Sequence, residues 1–181
     1  MDFEYYWYKK FFSLDDCQKI SHFLQTAEGG GVDVPAENVS KTSSVKVVSW
    51  QECKQLLHRV EDITNYLNQR NFGFEIYSLT SQDFVNYNIY ESSVEGKYDW
   101  HKDGILGKNY DIKLTVIVNI STTQYEGGKF ELFLNGPVSI DSLDEPGSIL
   151  IFPSYFIHRV TPVTKGNRET ISFWIHGPNF R

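Results

Sequence analysis

Trp100-His101-Lys102-Asp103 is answered far along the chain by Phe152-Pro153-Ser154-Tyr155-Phe156-Ile157-His158, and ten residues after that histidine by Arg168. Residues two apart on a strand share a face, so His101 and Asp103 can offer an imidazole and a carboxylate to one ion. The third ligand has to come from a neighbouring strand. His158, which follows the apolar run Ser148 to Phe152, is placed to supply it. Two imidazoles and a carboxylate on one face of an octahedral ion leave three positions open, the arrangement of non-haem Fe(II) oxygenases. A bidentate 2-oxo acid fills two of them and dioxygen the third. A tetrahedral zinc site would instead need cysteine or a fourth protein ligand. Arg168 suits the far carboxylate of such an acid, because its planar fork pairs bidentately and keeps its charge when buried.

Secondary structure must hold these groups in place. Ser13 can cap a helix with Asp15 and Asp16 in its first turn, and Cys17, Ile20, Leu24 and Ala27 form its apolar stripe. Gly29-Gly30-Gly31 ends that helix and opens a Gly/Pro/Asn-rich stretch to about Lys41, read as a connector in preference to a lid. Residues 45–50 read as a strand and 51–70 as a second helix, with Leu56, Val60, Ile63 and Leu67 at helical spacing. Segments 73–79, 84–90, 112–120, 129–134, 147–153 and 168–175 are rich in β-branched and aromatic residues, with turn formers between several of them. Two helices followed by a run of strands predict an α+β domain in which helices cover one face of an antiparallel sandwich or barrel. Alternation puts Arg168, Thr170, Ser172 and Trp174 on one face of the last strand. It likewise groups Phe84, Asn86, Asn88 and Tyr90, and sets Thr115, Ile117 and Asn119 apart from Leu114, Val116, Val118 and Ile120. The three faces with polar groups are read as lining one pocket.

Composition narrows the classes. A chain of 181 residues with 40% hydrophobic and 15% aromatic content has room for one well-buried domain, residues 1–181. Residues 1–80 would support a core over 84–178. A net charge of -6 and a pI near 5.3 leave no broad positive field for a phosphate backbone, so no nucleic-acid partner is expected. Met1-Asp2-Phe3-Glu4 has neither a basic nor an apolar leader region, and no run approaches the roughly 20 apolar residues of a membrane span. A cytoplasmic protein with no membrane partner is expected. Cys17 and Cys53 lack CxxC spacing and read as reduced thiols.

The segment from about Asn86 to Pro178, roughly half the chain, resembles the catalytic core of the Fe(II)/2-oxoglutarate-dependent dioxygenases. The likeness is to the prolyl 4-hydroxylase-like branch that includes the PKHD-type hydroxylases. It is carried by Tyr98 to Asp103, Tyr125-Glu126-Gly127-Gly128, Pro146-Gly147-Ser148 leading into Phe152-Pro153-Ser154, His158 to Val163, Gly166-Asn167-Arg168 and Trp174. The resemblance implies a double-stranded β-helix, a jelly roll backed by N-terminal helices on one sheet. It implies that His101, Asp103 and His158 hold Fe(II) as the catalytic metal centre, and that Arg168 and the Tyr90 hydroxyl meet the distal carboxylate of 2-oxoglutarate. Thr115 is a further candidate neighbour of that cosubstrate, and Tyr98 and Trp174 match positions that border the substrate. The cofactor set is then Fe(II), 2-oxoglutarate and O2, with ascorbate a candidate addition.

Three functions from different classes fit. The first is hydroxylation of a prolyl or other residue in a protein or peptide, with 2-oxoglutarate converted to succinate and CO2. The second applies the same chemistry to a free amino acid or small metabolite. The third is a jelly-roll module that binds metal or sugar without redox chemistry, which would have no need of a clamp at Arg168. Nucleic-acid demethylation, faintly suggested by Asn88-Ile89-Tyr90, is disfavoured by Trp174 where that branch has a second arginine. His22 and His58 lie in helices and His176 is expected past the last strand, so none of the three is expected to bind the metal. Oligomeric state leaves no mark in the sequence. The aromatic cluster at Phe3, Tyr5, Tyr6, Trp7 and Tyr8 reads as a packed edge strand.

Overall fold

Ser13 begins the first helix with a capping box: its hydroxyl accepts from the backbone N–H of Asp16, and the Asp16 carboxylate accepts from the backbone N–H of Ser13. The resulting helix, α1 (Leu14–Thr26), buries Cys17, Ile20 and Leu24, while Ala27 stands just past its end. The second, α2 (Trp50–Leu67), is capped by Ser49 and buries Trp50, Cys53, Leu57, Val60 and Leu67. One π-helical turn over Asn68–Phe72 extends it, and Gly73 stops it at a φ of 69°. These features belong to a computed structural model that describes residues 4–28, 30–33, 40–103 and 110–180.

The strands in the first half of the chain are β1 (Tyr6–Tyr8), β2 (Gly30–Asp33), β3 (Lys41–Thr42), β4 (Ser44–Ser49), β5 (Phe84–Glu91), β6 (Lys97–His101) and β7 (Asp111–Asn119). They are followed by β8 (Glu126–Gly127), β9 (Phe130–Phe133), β10 (Pro137–Ser139), β11 (Ile149–Pro153), β12 (His158–Val160), β13 (Val163–Lys165) and β14 (Asn167–Gly177). Among the described residues they form a seven-stranded sheet in the order β1-β11-β7-β14-β5-β4-β2 and a five-stranded sheet in the order β10-β9-β12-β6-β3. Strands β13 and β8 pair separately. All pairings are antiparallel.

Two apolar clusters flank the large sheet. In the first, Cys17, Ile20 and Leu24 of α1 and Cys53, Leu57 and Val60 of α2 meet Val85, Leu114, Val116, Val118, Ile171 and Phe173. In the second, Tyr90, Ile117, Leu150 and Phe152 of the large sheet meet Phe130, Leu132 and Val160 of the small one. Each fully buried aliphatic contributes about 1.5–3 kcal/mol. All nine residues of β7 are buried because it lies between β11 and β14 and has a cluster on each face. The second cluster makes the two sheets a face-to-face sandwich, and the polar residues on its inner faces open into a cavity.

Three details depart from the sequence reading. Residues 73–79 form no strand. The Asn68 side chain takes both backbone groups of Phe74, donating to its carbonyl at 2.8 Å and accepting from its N–H at 3.1 Å, which removes the groups a ladder would need. The Phe74 ring then packs on Phe72, Tyr155 and Phe180. His176 lies within the last strand, because β14 runs on to Gly177 and its bulge after Ile175 keeps it paired with β7. In the expected connector, residues 30–33 pair with β4, while residue 29 and residues 34–39 lie outside the described residues, so the choice between lid and connector falls there. The aromatic N-terminal segment does form an edge strand, β1 against β11.

Candidate active site

The two histidines meet because β6 and β12 are hydrogen-bonded neighbours with His101 directly opposite His158. Asp103 follows β6 by two residues, and its backbone N–H donates to the Ser154 carbonyl at 3.1 Å, tying the end of one strand to the loop before the other. Ligand atoms of His101, Asp103 and His158 all lie within 4.8 Å of one another, close enough to share one ion. Nε2 of His158 stands 3.8 Å from Oδ2 of Asp103.

Neighbouring groups fix how the ligands are presented. Nδ1 of His101 lies 2.7 Å from the Asp99 carbonyl, and Nδ1 of His158 lies 2.9 Å from the Phe156 carbonyl. A carbonyl can only accept, so each Nδ1 carries the proton and each Nε2 keeps a lone pair for a metal. Burial pushes the pKa of both imidazoles down, the neighbouring His158 adds to the lowering of His101, and the Asp103 carboxylate pulls both up. Both rings are therefore neutral near pH 7, the state a metal requires. The Thr115 hydroxyl donates to Oδ2 of Asp103 at 2.5 Å and holds the carboxylate. The Tyr98 ring stacks on His101 with centroids 3.4 Å apart.

Arg168 comes from the opposite sheet. It is 1% exposed, its Nε has no hydrogen-bond partner, and among the described residues it forms no ion pair. Its close neighbour is the ring of Tyr90, its cross-strand partner, 5.6 Å from the guanidinium. Burial raises the Tyr90 phenol to about 12, so it stays a donor. The Gly127-Gly128 step has its reason here. Gly128 has a φ of 59°, and a Cβ there would lie 2.9 Å from Cδ of Arg168, so the arginine stem passes where a side chain would be. A buried guanidinium without a counter-anion is a costly arrangement that a carboxylate ligand would relieve.

His101, Asp103, His158, Thr115, Tyr90, Tyr98, Trp174 and Arg168 all line one cavity of about 130 Å³. Asn86, Asn88, Thr170 and Ser172 join them, as the alternation of β5 and β14 predicts. A larger groove of about 520 Å³ adjoins it, shares Asn86 and Trp174, and carries Tyr77, Phe84, Tyr110 and His176 on its walls. His22 and His58 are exposed on the helices, and His176 pairs with Asp83 at 3.3 Å, so none of these three joins the cluster. Trp100, the residue before His101, is exposed and lies under the Arg159 guanidinium.

Phe130, Val160 and Lys41 line the cavity without having been foreseen, and of these Lys41 alone carries a charge. Lys41, on edge strand β3 opposite Tyr98, directs its ammonium to the Asn88 side-chain oxygen at 3.2 Å and lies over the Tyr98 ring at 4.8 Å. Burial lowers its pKa to about 8 against the opposing pull of Asp103. A lysine after a Gly/Pro/Asn-rich stretch carries no periodic signal. Only the pairing of β3 with β6 brings it here.

Residues 85–176, half of the chain, match the pattern of the 2OG-Fe(II) oxygenase superfamily. A PKHD-type hydroxylase of Colwellia psychrerythraea is 31% identical over 135 residues, which span 71% of this chain and 58% of that protein. The chain thus spans less than two thirds of that relative's length. A prolyl-4-hydroxylase from Pseudomonas putida shares the fold with a TM-score of 0.75 at 15% identity, over 97% of this chain and 94% of that one. A prolyl hydroxylase from Trichoplax adhaerens, in complex with a hypoxia inducible factor oxygen degradation domain peptide fragment, superposes with a TM-score of 0.70 at 18% identity, over 95% and 83% of the two chains.

Proposed function

The chain belongs to the 2OG-Fe(II) oxygenase superfamily, and from that premise we propose that it is an Fe(II)- and 2-oxoglutarate-dependent dioxygenase that hydroxylates a prolyl or other residue in a protein or peptide. The observation that carries the reading is Arg168: a guanidinium without a counter-anion, 1% exposed, sharing a small cavity with a His/Asp/His cluster. When bound, iron would activate dioxygen as the oxidant, one oxygen atom going to 2-oxoglutarate, which becomes succinate and CO2, and the other to a substrate C–H, which becomes C–OH. His101 and His158 would hold the ion through Nε2 and Asp103 through its carboxylate, oriented by Thr115. Arg168 would pair with the distal carboxylate, with the Tyr90 hydroxyl as a second donor. Ile117, Phe130 and Val160 line the same cavity and keep water from it. Tyr98 and Trp174 would border the substrate.

Cavity size favours a residue on a chain. About 130 Å³ is well below the roughly 300 Å³ at which pockets begin to enclose whole drug-sized ligands, leaving room for the cosubstrate and the tip of a side chain. The remainder of a substrate would lie outside, in the direction of the groove at Asn86 and Trp174. We take residues 1–181 as one catalytic domain, with 84–178 as its jelly-roll core and the helices as backing on the large sheet. A cytoplasmic setting fits two cysteines that are free and buried. Among the described residues, no helix is long and apolar enough to cross a membrane.

The test is succinate release with Fe(II), 2-oxoglutarate and a panel of proline-containing peptides, compared with free amino acids. Stimulation by a peptide, lost in His101→Ala, is expected. Turnover stimulated only by free amino acids overturns the peptide reading. Failure of the protein to bind Mn(II) and N-oxalylglycine overturns the enzyme.

A further inference from the structure

We infer that Lys41 is a specificity residue that binds a carboxylate of the substrate close to the carbon being oxidised, so that accepted substrates carry an acidic group beside the reacting position. The inference rests on the dioxygenase reading and deepens it by giving the substrate a charge. Four observations support it. Depth comes first. Arg168 is 1% exposed, whereas Lys41 is half-buried on the edge strand of the small sheet and lines the same cavity. Direction is the second. An ordinary edge lysine lays its stem on apolar surface and sends its ammonium into water. The Lys41 ammonium instead turns inward to Asn88, a residue 3% exposed on the opposite sheet.

Valence and charge complete the case. An ammonium has three protons to donate, yet Lys41 makes a single hydrogen bond and no ion pair among the described residues. The charges of a ferrous ion, Asp103, Arg168 and the two carboxylates of 2-oxoglutarate cancel. Lys41 is then one uncompensated positive charge, and a buried charge calls for a partner. A second unused donor lies in the same cavity: the indole N–H of Trp174 is buried without an acceptor. A carboxylate between Lys41 and Trp174 would satisfy both.

The carboxylate has two possible sources, an acidic side chain next to the oxidised residue or a chain terminus. Short proline peptides separate them. One set places Glu or its neutral isostere Gln beside the proline, and another ends at the proline as a free acid or an amide. Binding is read from tryptophan fluorescence in protein loaded with Mn(II) and N-oxalylglycine, and turnover from succinate. One charge-assisted hydrogen bond predicts that an acid binds about ten- to a hundredfold more tightly than its neutral partner. Lys41→Met should erase that ratio, and Lys41→Arg, matched to the wild type by thermal melting, should restore most of it. Equal binding of acid and neutral peptides, a ratio that survives Lys41→Met, or no binding by any acid overturns the inference. So does a loss of N-oxalylglycine affinity in Lys41→Met as large as the loss for the acidic peptide, which would assign the lysine to the cosubstrate. If the wild type binds neither Mn(II) nor N-oxalylglycine, the dioxygenase reading itself has failed, a result distinct from these.

Discussion

Replacing Arg168 by Met should move stability and binding in opposite directions. Without cosubstrate the guanidinium is 1% exposed and no ion pair offsets its desolvation among the described residues. Exchanging buried ionic groups for apolar ones of similar volume commonly stabilises a protein by about 1–4 kcal/mol. Loss of the Tyr90 contact returns about 1 kcal/mol of that. Methionine keeps the unbranched stem that passes Gly128, so no cavity opens beside the glycine. The net gain of about 0–3 kcal/mol corresponds to a rise in Tm of up to roughly 12 °C at this chain length. Binding should suffer the reverse. Removing one partner of a buried charge pair costs about 2–5 kcal/mol, or roughly 30- to 5000-fold in affinity for 2-oxoglutarate. Thermal melts with Mn(II), with and without N-oxalylglycine, read both effects. In the wild type, ligand at about 100 times Kd should add about 2.7 kcal/mol and raise Tm by roughly 5–10 °C. In Arg168→Met the baseline should be no lower, and the same ligand concentration should raise Tm by less than about 4 °C. A variant that melts lower and still responds to N-oxalylglycine refutes the reasoning, because Arg168 would then be a satisfied structural residue.

Thr115→Val removes the hydroxyl that holds Asp103 while keeping shape, and Mn(II) affinity measured by calorimetry should drop about tenfold to a hundredfold; an unchanged Kd rejects the role. Burial depresses the folded-state pKa of both His101 and His158, whereas unfolded imidazoles protonate near 6.5. Their contribution to stability is therefore complete above pH 6.5 and is lost as pH falls toward the folded values. Urea midpoints of the metal-free protein should decline from pH 7.5 to 5.5, less steeply in His101→Ala/His158→Ala, and equal slopes count against the assignment. Burial lifts the thiols of Cys17 to about 11 and Cys53 to about 12, so a disulfide reagent at pH 8 should react only as fast as the chain unfolds. An immediate reaction of either thiol contradicts this. Gly147→Ala should fold poorly, because φ is 77° and the added Cβ would stand 2.0 Å from the Phe12 carbonyl; a circular dichroism melt within a degree or two of the wild type argues otherwise.

Much of this site could be read from spacing because strands have a fixed period. His101 and Asp103 share a face by being two apart, and the alternation of β14 and β5 brought Arg168, Trp174, Asn86 and Tyr90 to one cavity. The capping residues and apolar stripes of both helices were legible for the same reason, since a 3.6-residue period leaves its mark in sequence. Strand adjacency has no such mark. That β12 neighbours β6, putting His158 opposite His101, follows from topology, and the same pairing logic through β3 hides Lys41 from any local rule. Residues 73–79 misled because an aromatic and aliphatic run, here with Phe74, Ile76, Tyr77 and Leu79, serves an aromatic cluster as well as a sheet. The decisive agent was Asn68, whose single side chain occupies both backbone groups of Phe74. His176 was misplaced by a bulge that lengthens β14 beyond its apolar run.

The residues proposed to hold the metal sit on one layer of the sandwich and the arginine proposed for the acid on the other. A bound pair of iron and 2-oxoglutarate would therefore act as a rivet between two leaves that otherwise cohere at this point through side-chain packing and the hydrogen bonds Thr115–Asp103 and Lys41–Asn88. Slow separation of the leaves should be suppressed whenever the rivet is in place, and amide protons along β6 and β12 should exchange with deuterium more slowly then, while those at the far edge strand β2 keep their pace. On the proposed activity the acid of the fastener would be consumed at every turnover, so the leaves would regain their freedom once per catalytic cycle, when succinate departs.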